Sequence, residues 1–443
     1  MFSLRTAVAL TVLAFTGFVH AQLTGSTGPT TPLSSKTVTC SVLDYGGSVG
    51  SSDIGPAILE AFENCVLKNS GAVLYVPAGN YNMETWVTLT GGTKWAFRLD
   101  GLITRASTTS GNMFAIENAE DFEMYSSTSA GGIQGLGYQC RNAGPRLLRI
   151  IDSTNFSLHD LIFVDSPEFH ITIDGGSSGE LYNLAIRGAD IGGSDGVDIS
   201  GDNHWVHDVM VTNRDECVTV KSPASNFLIE QIWCNQSGGC ALGSLPVDCD
   251  ISNIQYVHVY TNGCNQAMMI KSNGGSGSVK NVLFDDFLVT GGSAYALDVN
   301  QYWSSMSTLD GDGVALSNIT FKNWDGTVAN GVSRPPVQFL CADEVPCTDM
   351  TLIDVYLWSD TGSAVYKCES AFGTGACLHS SVAATSYAAT STAYNKPISM
   401  TAVPTLAGDL TAGFGSTASI ATPTIPSTYY PGLAQITPLM KNL

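Results

Sequence analysis

The chain has 443 residues and a formal charge of −20, from 39 Asp+Glu against 19 Lys+Arg, yet only 13% of its residues are charged. With 44% hydrophobic residues it is not an intrinsically disordered chain, and with no basic surplus to neutralise phosphates it is not a nucleic-acid binder. Low charge density, 46 glycines and the acidic excess point to a secreted β protein suited to acidic surroundings.

In chain order, Arg5 precedes an apolar run from Ala7 to Phe15, and Val19-His20-Ala21 resembles a small-residue cleavage site. Residues 1–21 therefore read as a signal peptide, too short to anchor in a bilayer. No later uninterrupted apolar run is long enough to span a membrane, so no membrane partner is expected. From Ile54 to Leu67, Ile58, Leu59, Phe62, Cys65 and Val66 fall on one helical face.

Beyond this helix the periodicity changes. A motif (apolar, any, polar, apolar, any, apolar) appears at Leu158–Phe163, Leu181–Ile186 and Val206–Val211, with looser copies starting at Ile229, Ile254, Phe284, Phe321 and Leu352. The starts are separated by 23, 25, 23, 25, 30, 37 and 31 residues. Short strands repeating at this interval cannot bury an apolar side singly. Stacked, they form a solenoid, here expected as a parallel β-helix whose open end the short helix caps. The longer later intervals predict loops flanking a groove. A β-sandwich with chance alternation is the competing reading. From Ser380 to Thr428, 18 of 49 residues are Ser or Thr, which predicts an extended, O-glycosylated segment lying along the body or leaving it. The expected division is signal peptide 1–21, catalytic solenoid 22–378 and Ser/Thr-rich segment 379–443.

Twelve cysteines suit an oxidising compartment. Close spacing suggests Cys217 with Cys234, Cys341 with Cys347 and Cys368 with Cys377, and Cys40 and Cys65 flank the helix. Cys140, Cys240, Cys249 and Cys264 stay open. No Cys-x-x-Cys or histidine pair at ligand spacing suggests zinc. Asn155, Asn235 and Asn318 begin glycosylation sequons.

Acidic residues gather in two turns, Gly193-Ser194-Asp195-Gly196-Val197-Asp198 and Asn213-Arg214-Asp215-Glu216-Cys217. The twenty residues between Asp195 and Asp215 approximate one coil, and stacked coils lie about 4.8 Å apart. Asp195, Asp215 and Glu216 should therefore converge, with Lys221 and Lys271 on flanking coils. Glycosidic cleavage needs such a set, one protonated carboxyl for the leaving oxygen and a carboxylate for water or the sugar. Crowded like charges raise at least one pKa and create the acid. Acids filling solvated turns, or a calcium site, are the alternative readings. His204 and His207, flanked by strand partners, read as structural.

Residues 190–275 resemble glycoside hydrolase family 28, the polygalacturonase family of right-handed parallel β-helices. Its signatures are Asn-Thr-Asp, Asp-Asp, Gly-His-Gly and Arg-Ile-Lys. The matching positions read Gly193-Ser194-Asp195, Asp215-Glu216, Ser237-Gly238-Gly239 and Met269-Ile270-Lys271. Lys is kept while the histidine and arginine are lost. The sequence around 215–222, 237–240 and 269–277, with Tyr302-Trp303 and Arg334-Pro335-Pro336, resembles the family's fungal rhamnogalacturonan hydrolases over nearly the whole chain.

The resemblance implies endo-cleavage, with inversion, of the galacturonosyl-α-1,2-rhamnosyl bond in the rhamnogalacturonan I backbone of pectin, with no metal or other cofactor. It makes Asp215 the general acid, Asp195 and Glu216 the water-activating groups, and Asp198 a fourth candidate. Lys221 and Lys271 would neutralise galacturonate carboxylates. Met269, in place of a carboxylate-binding arginine, would offer an apolar contact to the rhamnose methyl, and Gly238 would be a further substrate-binding position. Inversion leads us to expect carboxyl groups roughly 6.5–9.5 Å apart. The chain is expected to be monomeric. A polygalacturonase or xylogalacturonan hydrolase, a β-helix lyase and a glycan-binding adhesin remain open.

Overall fold

The computed structural model describes residues 23–380, 390–394, 409–410 and 414–426. The expected signal peptide lies outside the described residues, as does much of the Ser/Thr-rich segment. The described chain is a parallel β-helix. One ladder runs from Val87–Thr90 through Gly111–Glu117, Pro145–Ile151, Ile171–Asp174 and Val197–Asp202 to the first part of Glu216–Asn235. It continues through Gly239–Gly243, Met268–Lys271, Leu297–Asn300, Val337–Leu340 and Ala364–Glu369. Thr390–Tyr394 closes it as an antiparallel strand. The hand expected, right-handed, is that of nearly all parallel crossovers.

Side chains alternate across this ladder, as strand geometry requires. Val197, Ile199, Val220, Leu242, Met268, Ile270, Leu297 and Val299 point into one continuous core. Asp198, Thr219, Ala241, Met269, Asp298 and Gln338 form an opposite column in direct register.

The recurring six-residue motif lies on a second ladder. Leu158, Leu181, Val206, Ile229, Tyr256, Phe284, Phe321 and Leu352 stack in register. Seven of the eight sequence starts are therefore in phase; at the fifth, Tyr256 occupies the position assigned to Ile254. The polar third residue of the motif has a structural purpose. Asp160, Asn183, Asp208, Asp286 and Asn323 all have φ between 49 and 60°, and Asn and Asp tolerate this left-handed corner best among non-glycine residues. A second corner stacks Asn226, Asn253, Asn281 and Asn318, with amide-to-amide hydrogen bonds of 3.0, 3.1 and 2.8 Å.

The helix spans Gly55–Asn64, with a short 3₁₀ turn at Val66–Lys68. It seals the N-terminal end of the core with Ala57, Ile58, Ala61 and Phe62, the last ring 5.1 Å from Trp95. Disulfides join Cys40–Cys65, Cys217–Cys234, Cys341–Cys347 and Cys368–Cys377. The described part of the tail lies along the body. Asp409 accepts from Trp233 Nε1 (3.0 Å) and the Tyr260 hydroxyl (2.8 Å), while Ile420 packs with Ile162, Val164 and Trp233.

Two sequon readings change in character. Asn235 is fully buried and accepts from Asn262 Nδ2 at 3.0 Å, so the folded chain has no room for a glycan there. Asn318 is exposed, but its amide nitrogen donates within the asparagine stack; Asn155 is partly exposed. No helix among the described residues is long and apolar enough to cross a membrane.

Candidate active site

Asp195, Asp215 and Glu216 come together as their spacing predicted, each offering a carboxylate oxygen within 4.8 Å of the other two. Local irregularity makes this possible. Between Glu216 and Thr219 the strand advances three residues while its partner, from Gly239 to Ala241, advances two. This bulge lets Cys217 and Val218 both enter the core, with Glu216 and Thr219 left outside it. Asn213, fully buried, binds the two acidic turns together, its Nδ2 donating to Ser194 O (2.7 Å) and Glu216 O (2.8 Å). His170 braces Asp195 from behind, with Nδ1 2.8 Å from Asp195 O. Burial lowers its pKa to about 4, so it is neutral in the working range.

The three carboxyls differ in environment. Asp195, Asp198 and Glu216 are each only 3% exposed, whereas Asp215 is more open. Burial first, then the hydrogen bond and negative charge of Glu216, pushes Asp215 up to about 7, partly offset by the Gly193 N–H donated at 2.6 Å. Burial, with the charges of Asp198 and Glu216, raises Asp195 well above its ordinary value. For Glu216, burial acts upward, but hydrogen bonds from the Asp195 and Asp215 carboxyls and the charges of Lys271 and Lys221 reverse it. Glu216 ends far below the usual carboxylate range. Burial lifts Asp198 to about 6 despite Lys221 Nζ 3.4 Å away. These shifts favour protons on Asp195 and Asp215 and an ionised Glu216 in acidic solution.

The lysines serve protein acceptors first. Lys271 pairs with Glu216 and lies 5.8 Å from the centre of the Trp303 ring; Lys221 donates to Gly243 O at 2.8 Å. The trio is close enough to ligate a cation, but the Lys271 ammonium already supplies the countercharge to Glu216.

Two expectations are corrected. Gly238 is buried and binds no sugar surface; its N–H donates to Asp215 O at 2.6 Å, and a Cβ there would come within 2.7 Å of the Asp215 carbonyl carbon. Met269 does lie on the outward column, but at 3% exposure it offers a sugar methyl almost no surface. His204 and His207 are structural as expected. His204 precedes the second ladder, its Nδ1 accepting from Gly179 N (2.8 Å), and His207, on that ladder, lies between Asp208 and Glu180.

A parallel β-helix carrying a raised, accessible carboxyl beside one held low has the acid and the base that glycosidic hydrolysis needs. The family description "Glycosyl hydrolases family 28" matches residues 124–377. The chain is 53% identical to rhamnogalacturonase A of Aspergillus aculeatus, over 97% of this chain and 98% of that protein. It is 52% identical to a probable rhamnogalacturonase B of Aspergillus fumigatus, over 98% of this chain and 85% of the other. Among solved structures, an endo-xylogalacturonan hydrolase from Aspergillus tubingensis superimposes with a TM-score of 0.66 at 22% identity, covering 77% of this chain and 97% of that one. A polygalacturonase from Erwinia carotovora gives 0.56 at 18%, covering 75% and 96%. These two likenesses establish the fold alone. The chain belongs to glycoside hydrolase family 28.

Proposed function

We propose that this hydrolase cleaves the galacturonosyl-α-1,2-rhamnosyl bond within the rhamnogalacturonan backbone of pectin, acting as a secreted enzyme from which residues 1–21 are removed. The substrate reading rests on its full-length similarity to proteins named rhamnogalacturonases. The catalytic reading rests on one observation, the convergence of three carboxyls in unequal surroundings, Asp215 more open and Glu216 paired with Lys271. Residues 22–378 carry the catalysis, and 379–443 form the Ser/Thr-rich segment.

Asp215, protonated and accessible, gives its proton to the glycosidic oxygen as the bond to the anomeric carbon breaks. Water adds to that carbon and passes a proton to Glu216, the ionised member, while Asp195 holds the water. Glu216 then releases that proton to solvent and Asp215 takes one up, which restores the starting state. Asp198 acts with Lys221 in fixing the neighbouring charge. We carry inversion over from the family resemblance. In this arrangement Glu216 is held by Lys271 and two carboxyl donors, which favours a base over a free nucleophile. Proton NMR on a defined rhamnogalacturonan oligosaccharide tests this: the newborn galacturonate end should appear first as the β anomer. First appearance of the α anomer would replace inversion with retention. Faster cleavage of polygalacturonate or xylogalacturonan would overturn the substrate assignment.

A further inference from the structure

A pocket of about 250 Å³ opens beside Asp198, on the side of the trio away from Lys271. Its wall carries Arg146, Arg149 and Lys221 together with Phe169 and Thr172, three cations in a chain with a twofold acidic excess. Each arginine is tethered by an acid at its edge. Arg149 Nε pairs with Asp174, and Arg146 Nε lies 3.5 Å from Glu168 with its guanidinium 4.9 Å from the centre of the Phe169 ring. Both side chains remain about one third exposed. One buried atom in the wall, Thr172 Oγ1, makes no hydrogen bond within the protein, and Asp198 Oδ1 has only the Lys221 ammonium, 3.4 Å away. Buried polar atoms of this kind ordinarily have partners, and sugar hydroxyls would supply them.

Register gives the pocket its place along a bound chain. Arg149, Thr172 and Asp198 stack directly on successive coils, so Arg149 stands two rungs from Asp198, about 10 Å at the strand spacing. We propose that this pocket is a uronate-binding subsite on the glycone side of the cleavage point, where Arg149, supported by Arg146, holds a galacturonate carboxylate while Thr172 and Asp198 take sugar hydroxyls. This rests on the rhamnogalacturonan reading, in which a uronate recurs at every second sugar. It extends carboxylate recognition to the flank opposite Lys271. With Nε on Asp174, the remaining guanidinium nitrogens suit a planar carboxylate better than a neutral sugar.

The test is equilibrium binding in an Asp215→Asn background, using a defined rhamnogalacturonan oligosaccharide and the same oligosaccharide with its uronate carboxyls reduced to alcohols. Adding Arg149→Gln should weaken binding of the native oligosaccharide by roughly 10–100-fold, the loss of a charged hydrogen bond. The reduced oligosaccharide should bind both proteins equally. Arg149→Lys, keeping the charge without the fork, should recover part of the loss, and an unchanged unfolding temperature excludes misfolding. Unaltered affinity for the native oligosaccharide, an equal loss on both ligands, or no binding of either by the parent would overturn the subsite. Failure of the broader reading is seen separately, as absence of rhamnogalacturonan cleavage by the unsubstituted chain.

Discussion

At the residue scale, reactivity comes from placing three carboxyls where only one can ionise readily. Asp215→Asn keeps the shape and the Gly193 hydrogen bond but cannot protonate the leaving oxygen, so kcat should fall by about 10²–10⁴-fold. A rate near that of the unsubstituted enzyme in rhamnogalacturonan hydrolysis would remove Asp215 as the acid. Lys271→Met tests the other half of the arrangement. Lys271 helps hold Glu216 low; without it the carboxylate titrates at higher pH, and the acidic limb of the kcat profile should move upward. An unmoved limb, with only KM raised, would confine Lys271 to substrate binding.

At the element scale, the strand bulge and the glycine turn aim these groups. Gly238 lies against the Asp215–Glu216 peptide, so Gly238→Ala should displace both carboxyls and lower kcat at least tenfold while circular dichroism stays native. Full activity in that variant would show that the turn accommodates a methyl group without moving the acids. Strand stacking was legible in sequence because a buried solenoid face repeats apolar residues at each coil and its left-handed corners select Asn and Asp. The phase at Ile254 was misplaced because Ile254 and Tyr256 face the same side of their strand, both in the core. The trio was legible because one coil separates its members. Other features were hidden in three-dimensional placement. Alternation from Glu216 would put Val218 on the same face as Glu216, and only the bulge separates them. The burial of Met269 and Asn235 depends on neighbours from other coils. Arg146 and Arg149 acquire meaning only when stacking places their coil two rungs from Asp198, along the same groove.

At the scale of the whole molecule, a charge of −20 repels an acidic polysaccharide, so attraction must be local, at Lys221, Lys271 and the arginine pocket. Acidity helps twice, by partly neutralising both partners and by keeping Asp215 protonated. With Asp215 raised to about 7, activity should decline as pH rises through that value, and a maximum at pH 8 would contradict the acid assignment. The tail belongs to the fold's stability. Ending the chain after Ser380 uncovers Ile162, Val164 and Trp233 and removes the Asp409 bonds. Burial of a large apolar side chain such as Ile420 is worth about 1.5–3 kcal/mol, so calorimetry should show a lower unfolding temperature; an unchanged one would make the tail dispensable.

The most direct test of the whole account is identification of the new chain ends released from a defined rhamnogalacturonan I oligosaccharide. The account predicts galacturonic acid at the new reducing end and saturated rhamnose at the new non-reducing end. Rhamnose at the reducing end, or an unsaturated uronate on the other fragment, would contradict it.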